Sequence, residues 1–290
     1  MKLFLARSAD HLRRFLEKHE IPIARHERSF FADQERSTRV REKVKGKRTA
    51  IIACVLPDPE SLFELLVLHR VLRENGAARI DVVIPYLGYA RQDRPGREGE
   101  ASIGLMVAEL IRSLKGSRLI LCDLHSPRIR KALGPSMAEV SVLSLFSEAL
   151  SNNPPEVIVS PDAGSMNRAR ILAKLFRPQP EVAVVEKFRP RPNVAIAKRL
   201  HGDVRGKDVL VVDDIIDTGG TIAEAVRLIA QRGSDRIQIA ATHGIFSGDA
   251  RERLSTLPIE RILVTNTLPQ APGPRTHVLD IIPLILEKIA

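Results

Sequence analysis

Cysteine, tryptophan and aromatic surface are all scarce in this 290-residue chain, which has two cysteines, no tryptophan and only 4% Phe, Trp and Tyr. The cysteines, Cys54 and Cys122, sit inside apolar runs. That placement reads as buried thiols and argues against a disulfide framework, a cysteine metal cluster or redox chemistry. With so few aromatic rings, single-stranded nucleic acid would find few platforms on which to stack. No apolar run approaches the roughly 18 to 20 residues that cross a bilayer, and residues 1–4 enter a strand-like stretch without a signal-peptide core. The expectation is a cytoplasmic protein with no membrane partner and no nucleic-acid partner. Neither a P-loop (GxxxxGK followed by Ser or Thr) nor a kinase-type glycine loop occurs, which removes the two commonest designs for handling ATP.

What is present fits a folded protein of about two domains, at roughly 150 residues each. Apolar residues make up 44% of the chain and charged residues 28%. Lys and Arg outnumber Asp and Glu 45 to 35, a formal charge of +10. The basic residues are scattered rather than gathered in one tract, which suits phosphorylated small molecules better than nucleic acid, and equally suits a solvated basic surface.

Short β-branched runs alternate with helical patterns along nearly the whole chain, the signature of βαβ units and a largely parallel sheet. The fold class is therefore α/β. Strand candidates lie at 2–5, 49–55, 80–84, 118–122, 157–159, 182–185, 208–212, 237–241 and 261–264. Between them, apolar residues at three- and four-residue spacing mark helices around 12–16, 62–71, 105–111, 171–175 and 222–229. A strand that ends in Pro-Asp and leads into a helix occurs at IIACVLPDPESLFELL (51–66) and again at VIVSPDAGSMNRARILAKLF (157–176). This echo predicts two similar halves, joined near the polar, proline-bearing stretch 151–155.

The most informative segment is DVLVVDDIIDTGGT (208–221), an apolar strand that meets two carboxylates and then a small-residue turn opening a helix. Gly219 and Gly220 let backbone N–H groups fold around an anion, and the helix adds its positive N-terminal end. Thr218 and Thr221 supply hydroxyl donors. Asp213 and Asp214, just before this cradle, would repel phosphate but accept hydrogen bonds from sugar hydroxyls. A phosphate at one end and a diol at the other describes a ribose 5-phosphate.

VVDDIIDTGGT (211–221) closely resembles the phosphoribosyl-diphosphate signature of type I phosphoribosyltransferases. Five further segments resemble the ribose-phosphate diphosphokinases, also called phosphoribosyl diphosphate synthetases: IPYLGYARQDR (84–94), CDLHSPRI (122–129), VSPDAGSMNRA (159–169), EKFRPRPN (186–193) and ATHGIFSG (241–248). They stand in the family's order. The resemblance implies transfer of the β,γ-diphosphate of ATP to the C1 hydroxyl of ribose 5-phosphate, giving phosphoribosyl diphosphate and AMP for nucleotide biosynthesis. It also implies two similar phosphoribosyltransferase-like domains, each a mainly parallel sheet flanked by helices. Residues 1–150, completed by a C-terminal helix at 278–290, would carry the ATP motifs, and 151–277 the ribose 5-phosphate site. ATP and ribose 5-phosphate are then the small-molecule partners, Mg²⁺ the cofactor, and a homo-oligomer, either a dimer or a hexamer built from dimers, the assembly.

Residue by residue, the resemblance assigns Asp217, Thr218, Gly219, Gly220 and Thr221 to the 5-phosphate, and Asp213 and Asp214 to the ribose hydroxyls and their metal. Phe31, Asp33 and Glu35 match positions that contact adenine, and Arg91 and Gln92 match positions that contact ATP. For Asp93 and Arg94 a structural pair stands beside a ligand role. His125 and Asp162 match the metal-binding histidine and aspartate. Because Mg²⁺ prefers oxygen, His125 is also read as a contact to phosphate or to coordinated water. Lys187 and Arg189 match a basic pair that stabilises charge during transfer, with Phe188 where relatives often place another basic residue. Residues 95–105 replace a basic stretch used by many relatives for subunit contacts and for control by phosphate and ADP, so that control is not carried over. A phosphoribosyltransferase, or a noncatalytic regulatory relative, stands as the alternative function.

Overall fold

The computed structural model describes residues 1–188, 197–271, 273 and 275–290, with the backbone alone at 187, 188 and 197. It divides into two compact units, Met1–Val140 with Asp280–Ala290, and Ser141–Leu279. In the first unit, β1 (Lys2–Leu5) leads through a 3-10 turn (Arg7–Leu12) to α1 (Arg13–Lys18). There follow β2 (His26–Phe30), β3 (Arg36–Val40), β4 (Arg48–Ile52), α2 (Pro59–Glu74), β5 (Arg79–Ile84), α3 (Ile103–Arg112), β6 (Ser117–Cys122), α4 (Pro127–Leu133) and β7 (Met137–Val140). The sheet order is β1-β4-β5-β6-β7, with every neighbouring pair parallel. Ile51, Val82 and Leu121 lie in its core with Leu65, Leu68 and Leu72 of α2, whose spacing of three and four places them on one helical face. Each such side chain contributes about 1.5–3 kcal/mol by leaving water. Asp58 starts α2 by accepting a hydrogen bond from Ser61 N at 2.7 Å, with Pro59 in the first turn, where its missing N–H costs nothing.

The second unit runs α5 (Leu143–Ala149), β8 (Val157–Ser160), α6 (Met166–Ala173), β9 (Glu181–Phe188), β10 (Ala197–His201), β11 (Val209–Ile216), α7 (Gly220–Gln231), β12 (Ile237–Gly244), α8 (Ala250–Ser255), β13 (Arg261–Thr265) and β14 (Thr276–Leu279). Its sheet order is β10-β9-β8-β11-β12-β13-β14. All neighbours are parallel except β9 and β10. β11 sits centrally, flanked by β8 and β12, and Val211, Ile239 and Val264 share a core with Val226 and Ile229 of α7. α9 (Ile282–Ile289) belongs to the first unit. Arg118 donates to the Lys288 carbonyl and Arg48 to that of Ile289 at 3.1 Å, while His19 and Asp280 lie 2.8 Å apart. The same two arginines, with Arg79, surround the buried carboxylate of Asp81.

Both units are α/β with mainly parallel sheets, as the alternation of strand and helix predicts. The division falls between Val140 and Ser141, ahead of the expected join at 151–155, because α5 packs on α6. The stretch around Phe31 to Glu35 is the tip of an antiparallel hairpin of β2 and β3. β7 was not foreseen: MAEV is short and has one strongly apolar residue at its end. Both cysteines are buried thiols outside any disulfide, and burial pushes the Cys54 thiol up to about 12.

Candidate active site

Ligands of open parallel sheets bind beyond the carboxyl ends of the strands, and the loops that matter here leave those ends. In the second unit β11 runs past the end of β8 and pairs with β12 to its last residue. The Ile216 carbonyl accepts from Ile245 N at 2.9 Å and Phe246 N at 3.0 Å, and that of Asp217 accepts from Ser247 N at 3.1 Å. The chain then turns at Gly219, whose φ of +71° is the left-handed conformation that costs other residues energy. A β-carbon at Gly219 would lie 3.4 Å from Leu254 Cγ, so α8 packs directly behind the turn. Arg253 of α8 donates to the Thr218 carbonyl, bringing a guanidinium to the same loop. Gly220 opens α7, a helix of 12 residues with free N–H groups in its first turn. Strand, left-handed glycine and helix N-terminus together make a concave donor set for a phosphate.

Behind this turn the structure joins Asp213 to the loop after β8. Ser165 Oγ donates to Asp213 Oδ1 at 2.5 Å, and Asp214 N donates to the same oxygen at 2.9 Å. Asp162 Oδ1 accepts from Gly164 N at 2.9 Å and Ser165 N at 3.3 Å. The Pro-Asp echo of the sequence therefore serves two purposes. Asp58 caps a helix, whereas Asp162 orders the loop that carries Ser165. Burial, and then the neighbouring Asp214 charge, push the Asp213 carboxyl up to about 7. A buried carboxylate beside another carboxylate is stabilised by an incoming cation. No group of three or more His, Cys, Asp or Glu suited to a metal occurs among the described residues. Hard oxygen donors with an incomplete shell fit Mg²⁺, which keeps waters and takes substrate phosphate oxygens.

In the first unit, Arg91 and Gln92 lie exposed on the loop after β5, and His125 lies exposed on the loop after β6. Asp93, between the two readings left open for it, pairs with Ser126: the serine hydroxyl donates to Asp93 Oδ2 at 2.6 Å. Ser126 also caps α4, accepting from Arg128 N at 3.1 Å. Gly104 packs under the first loop, since a β-carbon there would lie 2.4 Å from the Tyr89 carbonyl. The two loops thus form one rigid rim beside β5 and β6. Phe31, Asp33 and Glu35 sit apart on the hairpin tip, where Phe31 is 60% exposed and Asp33 Oδ1 accepts from Glu35 N at 3.0 Å. Lys187 lies near the end of β9, opposite Lys198 of β10, and Arg189 falls outside the described residues.

Ser165, Ser126 and Arg253 were not singled out from the sequence. A serine before proline is a helix-start signal that identifies Ser126 as a cap. Nothing local announces the partners of Ser165 or Arg253, which lie 48 and 35 positions away.

Fold and loops define a protein with two phosphoribosyltransferase-like domains and a left-handed glycine turn that opens a helix at the end of a central strand. A family model described as the N-terminal domain of ribose phosphate pyrophosphokinase matches residues 1–114, and one described as a phosphoribosyl synthetase-associated domain matches residues 178–290. A ribose-phosphate pyrophosphokinase of Shewanella oneidensis is 38% identical over 249 residues, 83% of this chain and 78% of that protein. One from Caldanaerobacter subterraneus is 35% identical over 298 residues, 100% of this chain and 93% of its own. The crystal structure of phosphoribosylpyrophosphate synthetase from Mycobacterium smegmatis matches with a TM-score of 0.88 at 30% identity, covering 99% of this chain and 97% of that one. The chain belongs to the ribose-phosphate pyrophosphokinase family.

Proposed function

We propose that this enzyme transfers the β,γ-diphosphate of ATP to the C1 hydroxyl of ribose 5-phosphate. The C1 oxygen forms a bond to the β-phosphorus as the bond from that phosphorus to the α-bridging oxygen breaks. AMP leaves, and the hydroxyl proton passes to solvent. The observation that carries this reading is the left-handed turn at Gly219, set at the end of β11 with Asp213 and Asp214 on one side and the α7 N-terminus on the other.

In this reading Asp217, Thr218, Gly219, Gly220 and Thr221 grip the 5-phosphate, while Asp213 and Asp214 face the ribose hydroxyls. Phe31 stacks on adenine, Asp33 and Glu35 accept from its amino group, and Arg91 and Gln92 hold the nucleotide with help from His125. Lys187 and Arg189 stabilise charge as the diphosphate moves, which suits a loose transition state that depends on alignment and neutralisation. Mg²⁺ would be held by Asp162 and Asp213 and when bound would supply charge neutralisation to phosphate oxygens, while His125 of the first unit is a separate candidate contact to phosphate or to coordinated water.

The assembly is a homo-oligomer, a dimer or a hexamer built from dimers. Support comes from exposed apolar side chains at Phe30 of the hairpin, Met106 and Leu110 of α3, Ile171 of α6 and Leu175 just after it. The enzyme works in the cytoplasm. None of the described helices is long and apolar enough to cross a membrane.

Product analysis with ATP, ribose 5-phosphate and Mg²⁺ tests the reaction. AMP and phosphoribosyl diphosphate are expected in equal amounts. ADP would indicate simple kinase chemistry. Diphosphate release from phosphoribosyl diphosphate with a base would indicate a phosphoribosyltransferase, and ligand binding without turnover a regulatory relative.

A further inference from the structure

We propose that Ser165 is a positioning residue for the reaction, fixing the orientation of the Asp213 carboxylate and tying the Asp162 loop to the ribose turn. This rests on the ribose 5-phosphate reading of that turn.

Three observations carry it. First, Asp213 Oδ1 takes two donors, Ser165 Oγ at 2.5 Å and Asp214 N at 2.9 Å, which occupy the lone pairs of that oxygen. Contacts to a ribose hydroxyl or a cation then fall on Oδ2, in an orientation set by the other oxygen. Second, Ser165 stands at the N-cap of α6, where a serine hydroxyl ordinarily accepts from the first helical N–H groups. Here it makes no cap hydrogen bond and is committed instead to a residue 48 positions away. A role in starting the helix therefore does not account for the hydroxyl. Third, the Ser165 backbone N–H donates to Asp162 Oδ1 at 3.3 Å, so one buried residue contacts both carboxylates through separate groups. A shift in either carboxylate is passed to the other through Ser165, which acts on substrate only through Asp213.

Substitution and calorimetry test this. Ser165→Ala should weaken ribose 5-phosphate binding, titrated calorimetrically without divalent cation, by about tenfold, the loss expected for one hydrogen bond to a charged group. The KM for ribose 5-phosphate should rise in parallel, while the KM for ATP stays within about twofold. Ser165→Thr keeps the hydroxyl and should bind within about threefold of the parent. The proposal is overturned if Ser165→Ala binds ribose 5-phosphate as the parent does, if Ser165→Thr is as impaired as Ser165→Ala, or if both KM values rise together. Should Ser165→Ala fail to fold, Ser165→Cys, with similar volume and a weak donor, must show the same selective loss. A parent enzyme that binds no ribose 5-phosphate would overturn the site reading itself, which distinguishes that failure from indifference to Ser165 alone.

Discussion

Ser126 Oγ lies 2.6 Å from Asp93 Oδ2, and this hydrogen bond joins the loop after β5 to the loop after β6. The same hydroxyl oxygen accepts from Arg128 N and Ile129 N at the start of α4. One serine thus caps a helix and holds together the two loops that present Arg91, Gln92 and His125.

Ser126→Ala should therefore lower stability by about 1 kcal/mol through the lost cap. The Asp93 carboxylate would also lose a partner. Urea denaturation measures the first effect. Steady-state kinetics should show a raised KM for ATP with that for ribose 5-phosphate nearly unchanged.

Gly219→Ala meets both a strained backbone and a filled space. The φ of +71° costs an L-residue about 1–2 kcal/mol, and the added methyl would press on Leu254 at 3.4 Å. Thermal unfolding should shift down accordingly. Ribose 5-phosphate binding should weaken at least as much as ATP binding does, because the N–H groups of this turn move together.

Asp213 gives a pH dependence with a definite sign. Its carboxyl has an ordinary value of 3.8 and is pushed up to about 7, chiefly by burial. Between those values the folded protein holds a proton that the unfolded chain has released, so this group makes stability fall as pH rises from about 4 to about 7. Below the window and above it the contribution is flat. The difference in unfolding free energy between the parent and Asp213→Asn, followed against pH, isolates this term from carboxylates such as Asp208, which Arg236 shifts the other way. Divalent cation binding should strengthen over the same rise in pH, since the metal displaces that proton.

Lys187→Ala should lower kcat by about a hundredfold or more, the scale of losing one preorganised donor to developing charge. The dissociation constant for ATP should change by no more than about threefold, if the lysine acts in the transition state. Equal loss in binding and turnover would place it in ground-state binding instead.

The parallel character of the fold was legible because its signals are local. Runs such as VLVV in β11 and the three- and four-residue spacing on α2 carry their own periodicity. The turn at Gly219 was legible for a related reason: two adjacent glycines before a helix constrain the backbone within a few residues. The β2 and β3 hairpin was missed because HERSF is polar and largely solvent-facing and RSTRV is polar and half-buried, leaving no apolar alternation to read. β7 was missed because its stability comes from pairing with β6 rather than from its own composition.

By itself the sequence determined a largely parallel α/β fold, where the glycine turn opens a helix, and which carboxylates precede it, since each depends on neighbours along the chain. Only the tertiary structure decided that Ser165 serves Asp213 rather than capping α6, and that Asp93 pairs with Ser126 rather than with Arg94. Those choices are made between groups far apart in sequence. A side chain that could satisfy several partners takes the one that folding brings within 3 Å, and no local pattern records which that will be.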